Sequence, residues 1–529
     1  MQQKLSSLLD LRLALRRVTT DINKGKYFLD YPFELELVKV DEDKYLADLG
    51  DALDKEAYYP LSLVTCDVPK KNFTIRAGNY ISISDRVIYT ACIGYLLPDI
   101  FAKLKWSQGI VEFANQLHGY LSSDYLFKNA FKSWSTFREQ SEARISSGVT
   151  YVVFSDIANF YDNIDIATLM SCVRELSGDQ KVVNLLSKIL NRWAHSCGNR
   201  GIPQGQSPSH VLAKLYLDSI DFQMKALGYD YIRYNDDVRI FCRTHTEAKK
   251  AILDLTSFLR AKSLSIQSAK TQILTSADAL QAISGVQPTI LQVRDRYIAS
   301  LRANLAQGSL SDEIEDDGHS TSIGDDLREM PIEVIKQAFD SHFIRTNNTD
   351  FDKTLFHYLI NRLKKSGDGF AIQHCIPMLS THPEETREIL EYFASVEGAY
   401  NLVEVHLNNI IKPGGTIYPY QIYEILSWLG KHEYVPSANT LQEIRRLTYG
   451  TSHPAYVRSW ARYILSIHGT SSDFEQIERS YNQENSSQQR SEIICCLKKM
   501  EAGRRNNFIS RAQYDGELER RATIIAKQK

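Results

Sequence analysis

Residues 231–241 read YIRYNDDVRIF. The flanks, YIRY and VRIF, are rich in β-branched and aromatic residues and read as strands. Asn235-Asp236 between them is good hairpin-turn chemistry. Two adjacent carboxylates, Asp236 and Asp237, are thereby placed at the tip of a hairpin. A solvated turn and a ligand-holding turn look alike at this range, so the choice rests on partners elsewhere in the chain.

Two further stretches supply them. In YVVFSDIANFYDNI (151–164) a buried-strand pattern ends on Asp156, which is either a helix cap or a ligand aimed into a site. Asp162 and Asp165 read as polar helix positions. In RGIPQGQSPSH (200–210), Gly201 and Gly205 permit close backbone approach, and Ser207-Pro208 is a helix start with Ser as the cap. A glycine loop that enters a helix N-terminus can cradle a phosphate or a base pair.

Strand-Asp-x-x-x-aromatic-aromatic, then GIPQG-x-S-P, then Tyr-x-Asp-Asp in a hairpin resemble, in that order, the palm motifs of the reverse transcriptase family. VPKKNFTIRAGNYISISDRVIYTA (68–91) is similar to the family's fingers motifs, and LSIQSAKTQIL (264–274) to its palm Lys-Thr motif. The resemblance covers roughly residues 60–290. It implies two-metal nucleotidyl transfer, with Asp156, Asp236 and Asp237 holding Mg²⁺ (Mn²⁺ as the alternative) and the Ile157 carbonyl assisting. Three clustered carboxylates repel one another unless a cation neutralises them. Arg76, nine residues before Asp85, would hold the incoming triphosphate, helped by Lys70 or Lys71. Lys270 would sit near the pyrophosphate and Gln204 beside the incoming nucleotide or template base. Tyr161 would pack under the sugar and exclude a 2′-hydroxyl, which implies dNTP substrates, while Phe160 is read as core and Tyr234 as a neighbour of the primer terminus. Arg86 is expected to pair with Asp85 or another palm carboxylate.

The expected fold class is an α+β fingers and palm of right-hand type followed by an all-α, HEAT-like helical-repeat region. Residues 1–60 read as a helical segment of the fingers, 61–300 as fingers and palm, 301–330 as an acidic linker or loop (SDEIEDDGHSTSIGDDL at 311–327), and 331–529 as successive helices separated by Gly, Pro, Ser or Asn. A generic all-α domain is the equal alternative for the last part. Arg462 and His468 fit a loose Arg-x5-His spacing and are read as structural.

Composition narrows the rest. The net charge of −2 over 529 residues gives no general basic surface, so any nucleic-acid contact must be local. No run of 18 apolar residues and no signal-peptide pattern is visible, and the eight cysteines lack zinc spacing, so a cytoplasmic protein without membrane partners is expected. A palm joined directly to helical repeats, with no obvious basic thumb helix, resembles the bacterial abortive-infection (Abi) reverse transcriptases. That resemblance implies antiphage defence by a homo-oligomer, trimer or hexamer, which makes DNA without a template and leaves it covalently attached to a priming tyrosine. Tyr27, Tyr31 and Tyr45 are candidates for that residue. A templated RNA-dependent DNA polymerase of retron or intron type, with a nucleic-acid template as partner, and a catalytically idle binding module are the alternatives.

Overall fold

The computed structural model describes residues 3–528 except 26, 120–121, 177, 195–197, 307–329, 346–350, 450–451, 513 and 515. Most of the expected acidic linker at 301–330 lies outside the described residues. Ahead of it the helix Gln287–Ala306 runs into the stretch.

The centre of the first half is a four-stranded antiparallel sheet of order β4-β5-β3-β6. It comprises β3 (Tyr151–Asp156), β4 (Asp230–Tyr234), β5 (Asp237–Cys242) and β6 (Gln272–Thr275). The apolar runs of β3 and β5 occupy the two middle places, where both faces are covered and no strict alternation is needed. Residues 111–113 extend the sheet past β4: Arg233 N donates to the Val111 carbonyl at 2.8 Å and Phe113 N to the Arg233 carbonyl at 3.0 Å.

Behind the sheet lie the helices Ser207–Ala226 and His245–Ala261, and beside them Ile83–Leu104. The last is long and apolar enough by composition to cross a bilayer, but most of its residues are buried in the protein's largest hydrophobic core, so it is a core helix. Ser82 caps it by accepting from Asp85 N at 3.2 Å.

β1 (Val64–Pro69) and β2 (Ile75–Tyr80) form a separate two-stranded sheet. The sequence reading places residues 68–91 among the fingers motifs. The hairpin's buried residues Cys66, Val68 and Tyr80 share the core of the C-terminal helices, together with Leu29, Tyr31, Phe33 and Leu37. Each such side chain contributes about 1.5–3 kcal/mol when fully buried, so the hairpin's place depends on those helices.

From Ile332 to Lys527 the described residues hold helices and short helical turns and no strand. Amphipathic helices of roughly three turns, such as Lys353–Ser366, Pro419–Lys431 and Ala455–His468, bury one face each against their neighbours. Polar anchors fix this region to the N-terminal segment. The Asp30 carboxylate accepts from the Tyr423 hydroxyl (2.7 Å) and Lys431 Nζ (2.6 Å), and its carbonyl accepts from Trp460 Nε1 (3.1 Å). Arg387 binds Glu424 and donates to the Phe28 carbonyl at 3.3 Å. The Tyr418 hydroxyl donates to the Phe73 carbonyl, in the turn between β1 and β2, at 3.1 Å.

Candidate active site

The opening hairpin forms as read. Asn235 takes a left-handed conformation (φ 57°), which Asn tolerates, and so closes a two-residue turn between β4 and β5. The register of β3 with β5 sets Asp156 directly opposite Asp237. Ile157 N donates to the Asp236 carbonyl at 3.2 Å, which locks the end of β3 to the turn. One end of the two central strands therefore carries all three expected carboxylates, while the Asp156 main-chain oxygen is taken by Gln267 N at 2.6 Å. Asp156 is thus a strand end and not a helix cap.

The carboxylates feel one another. Burial and then the charge on Asp156 raise the Asp236 carboxyl above the ordinary aspartate range. Partial burial, then Asp236 and Asp156, push Asp237 up to about 6, although the residue as a whole is exposed. Lys270, on the turn Ser268–Lys270 before β6, reaches Asp156 Oδ1 with its Nζ at 3.0 Å. Asn235 Nδ2 donates to Asp236 Oδ1 at 2.9 Å. An ammonium and an amide thus occupy carboxylate oxygens, and among the described residues no three His, Cys, Asp or Glu side chains converge on one point. The donor set is nonetheless all carboxylate oxygen with excess negative charge, which fits a hard divalent cation, and two of the three groups need only release these side-chain partners.

The GIPQG loop is stitched to the turn after β3. Gly201 N donates to the Ile164 carbonyl at 2.8 Å and Ile202 N to the Tyr161 carbonyl at 3.0 Å. Gly201 has φ 85°, and a Cβ there would lie 3.1 Å from the Asp162 carbonyl oxygen, so both conformation and space require glycine. The helix begins at Ser207, which moves the cap position to Gln206. Gln204 lies half-buried in the turn.

Tyr161 is buried. Its hydroxyl lies 2.5 Å from His210 Nδ1 and donates to Asn235 Oδ1 at 3.3 Å. This gives Asn235 a second task besides the turn. Phe160 is in the core, and Tyr234 packs edge-on against Trp134. In the fingers hairpin, Lys71 is exposed on the turn Lys71–Phe73. Arg76 on β2 lies 6.0 Å from the Phe28 ring centroid and, with Lys70, faces Asp162 closely enough to oppose the effect of burial on that carboxyl.

Three expectations change. Arg86 does not pair with Asp85. It forms a buried ion pair with Glu34, which also accepts from the Tyr80 hydroxyl at 2.7 Å. Asp85 accepts instead from the Tyr58 hydroxyl at 2.5 Å and Leu61 N at 3.0 Å. Tyr27, Tyr31 and Tyr45 are all buried: Tyr27 lies on Arg86, Tyr31 on Tyr80, and the Tyr45 hydroxyl bonds Ser84 Oγ at 2.8 Å. None presents a free hydroxyl to the acidic site. Asp162, read as a plain helix position, is held between the GIPQG loop and the fingers cations.

Sequence reading also misses a buried charge network behind the hairpin. Arg233 donates to the two Asp221 carboxylate oxygens through Nε and Nη2 at 2.8 Å each, and its Nη1 donates to the Asn235 carbonyl at 3.1 Å. Lys214 pairs with Glu112 and donates to the Ala114 and Asn115 carbonyls at 3.0 Å each. Burial alone would lower Arg233, but Asp221 and Glu112 more than offset it, so the guanidinium stays charged. Lys214, Asp218 and Asp221 are spaced i, i+4, i+7 along one helix, a polar stripe inside an apolar segment that could have revealed the network.

Residues 68–302, a little under half of the chain, match the family Reverse transcriptase (RNA-dependent DNA polymerase). No curated protein matches. Among solved structures, the chain is similar to telomerase from Candida albicans in complex with a TWJ fragment of telomeric RNA, at 13% identity and TM-score 0.31, covering 66% of each chain. It is also similar to apo telomerase from Candida tropicalis, at 9% identity and TM-score 0.30, covering 80% of this chain and 68% of that one. Likeness at this level is too distant to carry substrates or partners across. The three ordered motifs, the pairing of Asp156 with Asp237 at one end of the central strands and the family match agree: residues 68–302 are a reverse transcriptase domain, of RNA-directed DNA polymerase-like nucleotidyltransferase type.

Proposed function

We propose that this domain polymerises dNTPs at Asp156, Asp236 and Asp237, and that the protein acts in antiphage defence by protein-primed, template-independent DNA synthesis. The observation that carries the polymerase reading is the register of Asp156 with Asp237 beside Asp236, where Asp236 and Asp237 have raised affinity for protons and Lys270 and Arg239 offset only part of the negative charge. These three side chains, with the Ile157 carbonyl, would hold Mg²⁺. Bound there, the cation pair supplies charge neutralisation for the attacking hydroxyl and the departing pyrophosphate.

The chain's own residues do the rest. Lys270, 3.0 Å from Asp156 Oδ1, leaves it for the phosphates. Arg76 and Lys71 bind the triphosphate from the fingers side. Tyr161, fixed by His210 and Asn235, presents a bulky ring under the sugar and disfavours a 2′-hydroxyl. Gln204 supports the base. The priming reading draws on the resemblance to abortive-infection enzymes and on a HEAT-like helical region joined to the palm. With Tyr27, Tyr31 and Tyr45 enclosed, a priming hydroxyl must come from an exposed tyrosine such as Tyr59 or Tyr125.

Full-length protein incubated with Mg²⁺ and labelled dNTPs tests both levels. Incorporation should occur without template, and the label should migrate with protein until protease is added. Asp236→Asn should lose on the order of 10²–10³-fold in rate. An Asp236→Asn variant with full activity sinks the site. Strict dependence on an RNA template–primer keeps the polymerase and replaces the priming reading by a templated one.

A further inference from the structure

Two adjoining clefts open on the C-terminal helices, away from the acidic hairpin. The first, of about 450 Å³, lies among Tyr449, Arg458, Arg462, Gln483 and Glu484. The second, of about 570 Å³, runs along Arg490, Arg504, Asn507 and Arg511. Arg479 lines both.

Their charge does not balance. Six guanidiniums line the pair of clefts against two carboxylates, Glu478 and Glu484. The Glu484 carboxylate serves both Arg458 (2.8 Å) and Arg462, while its main-chain oxygen accepts from Arg490 Nε at 2.7 Å. Arg462 is 2% exposed, yet its Nε and Nη1 have no hydrogen-bond partner. A buried guanidinium with unmet N–H groups keeps its positive charge poorly compensated, and it adds to the potential of the cleft above it. The nearby acid does not compensate it: burial pushes Glu492 up to about 8, so it is largely neutral at pH 7, and its Oε1 already accepts from Gln488 at 2.9 Å. In the second cleft Arg504 is engaged by Glu475 and Glu478, and Arg490 lies 5.6 Å from the Tyr481 ring centroid. Arg479 and Arg511 are exposed and, among the described residues, make no ion pair. The remaining polar lining is mostly neutral amide and hydroxyl, including Gln476, Asn482, Ser486 and Gln489, which can bond phosphate or base edges without repelling them.

We propose that this double cleft binds single-stranded nucleic acid, with successive phosphates passing the exposed Arg479 toward Arg511 over the charge of the buried Arg462. On a chain of net charge −2 this is a local basic track, which phosphodiester backbones seek and which gives salt-dependent affinity. The site is separate from the palm, so it stands whether or not the carboxylates catalyse polymerisation.

Fluorescence anisotropy of a labelled oligo-dT of about 20 nucleotides on the full-length protein, without divalent cation, tests it across a NaCl series. Arg479→Glu/Arg511→Glu should weaken binding at least about tenfold and reduce the slope of log affinity against log salt by about 1–2. Lys249→Glu/Lys250→Glu, the same charge change on the exposed face of another helix, should leave both unchanged. Melting curves report folding, and Arg479→Gln/Arg511→Gln replaces the Glu pair if that pair is unstable. Equal effects of the two double substitutions, or none, overturn the proposal. Competition by inorganic tripolyphosphate as effective as by unlabelled oligo-dT also overturns it, since the site would then read phosphate and not a strand. An oligo-U arm reports whether DNA or RNA is preferred, and failure of both to bind overturns it as well.

Discussion

The chain contains two β-hairpins of equal strand length class and opposite support. β4–β5 is held from behind by a buried charge network that begins two residues from its tip, where Arg233 grips the Asn235 carbonyl and Asp221. β1–β2 has no sheet to join. Its inner face rests on C-terminal helices, and its turn is fastened by Tyr418, 345 positions further along. The hairpin bearing the carboxylates is thus supported within its own domain, whereas the hairpin bearing Arg76 takes its position from the helical region. A change in those helices can therefore move the fingers cations relative to the palm without touching the carboxylates.

Breaking each support separately sharpens this contrast. Arg233→Met leaves the buried Asp221 without its ion-pair partner, with the Tyr231 hydroxyl still donating to it, and should cost about 3–5 kcal/mol, read as a shift in the denaturant midpoint. Hydrogen exchange should speed up first in residues 230–242. A loss under about 1 kcal/mol would mean that the network is not the hairpin's support. Arg387→Met removes the guanidinium that joins Glu424 to the Phe28 carbonyl and should cost about 1.5–3 kcal/mol. Exchange should then rise in residues 64–80 while 230–242 stay protected. Simultaneous loosening of both hairpins would show that their supports are coupled.

The smallest effect concerns Asp237. Its carboxyl is raised from 3.8 to about 6 in the folded protein, so the stability gained from holding that proton is complete below pH 3.8 and is lost as pH rises through 6. Without divalent cation, Asp237→Asn should therefore be more stable than the parent at pH 8 and equal to it at pH 4. The gain should be about 1 kcal/mol or less, because the residue is open to screening water. Added Mg²⁺ should reverse the order at pH 8 by stabilising only the parent. A variant less stable than the parent at pH 8 without metal would show that the three carboxylates do not repel one another.

The palm was legible because its information is local. An apolar strand ending in Asp156, glycines at positions of positive φ and a two-residue turn at Asn235-Asp236 each state their own conformation. Arg86 was misread because its partner Glu34 lies 52 positions away, in a segment with no motif. The three candidate tyrosines were named from their position before the fingers, and only packing shows that they are enclosed. The basic clefts were hidden by a nearly neutral total charge, since the sum over a chain says nothing about where arginines gather.

By itself the sequence determined the chemistry on offer: three carboxylates, their order, and the strand and turn that carry each. Backbone propensity and short-range sterics settle such features within a few residues. Only the tertiary structure decided that Asp156 stands opposite Asp237, that His210 and Asn235 clamp Tyr161, and that the fingers hairpin belongs to the C-terminal core. Those outcomes depend on strand register and on burial across hundreds of residues, and neither leaves a local pattern in the chain.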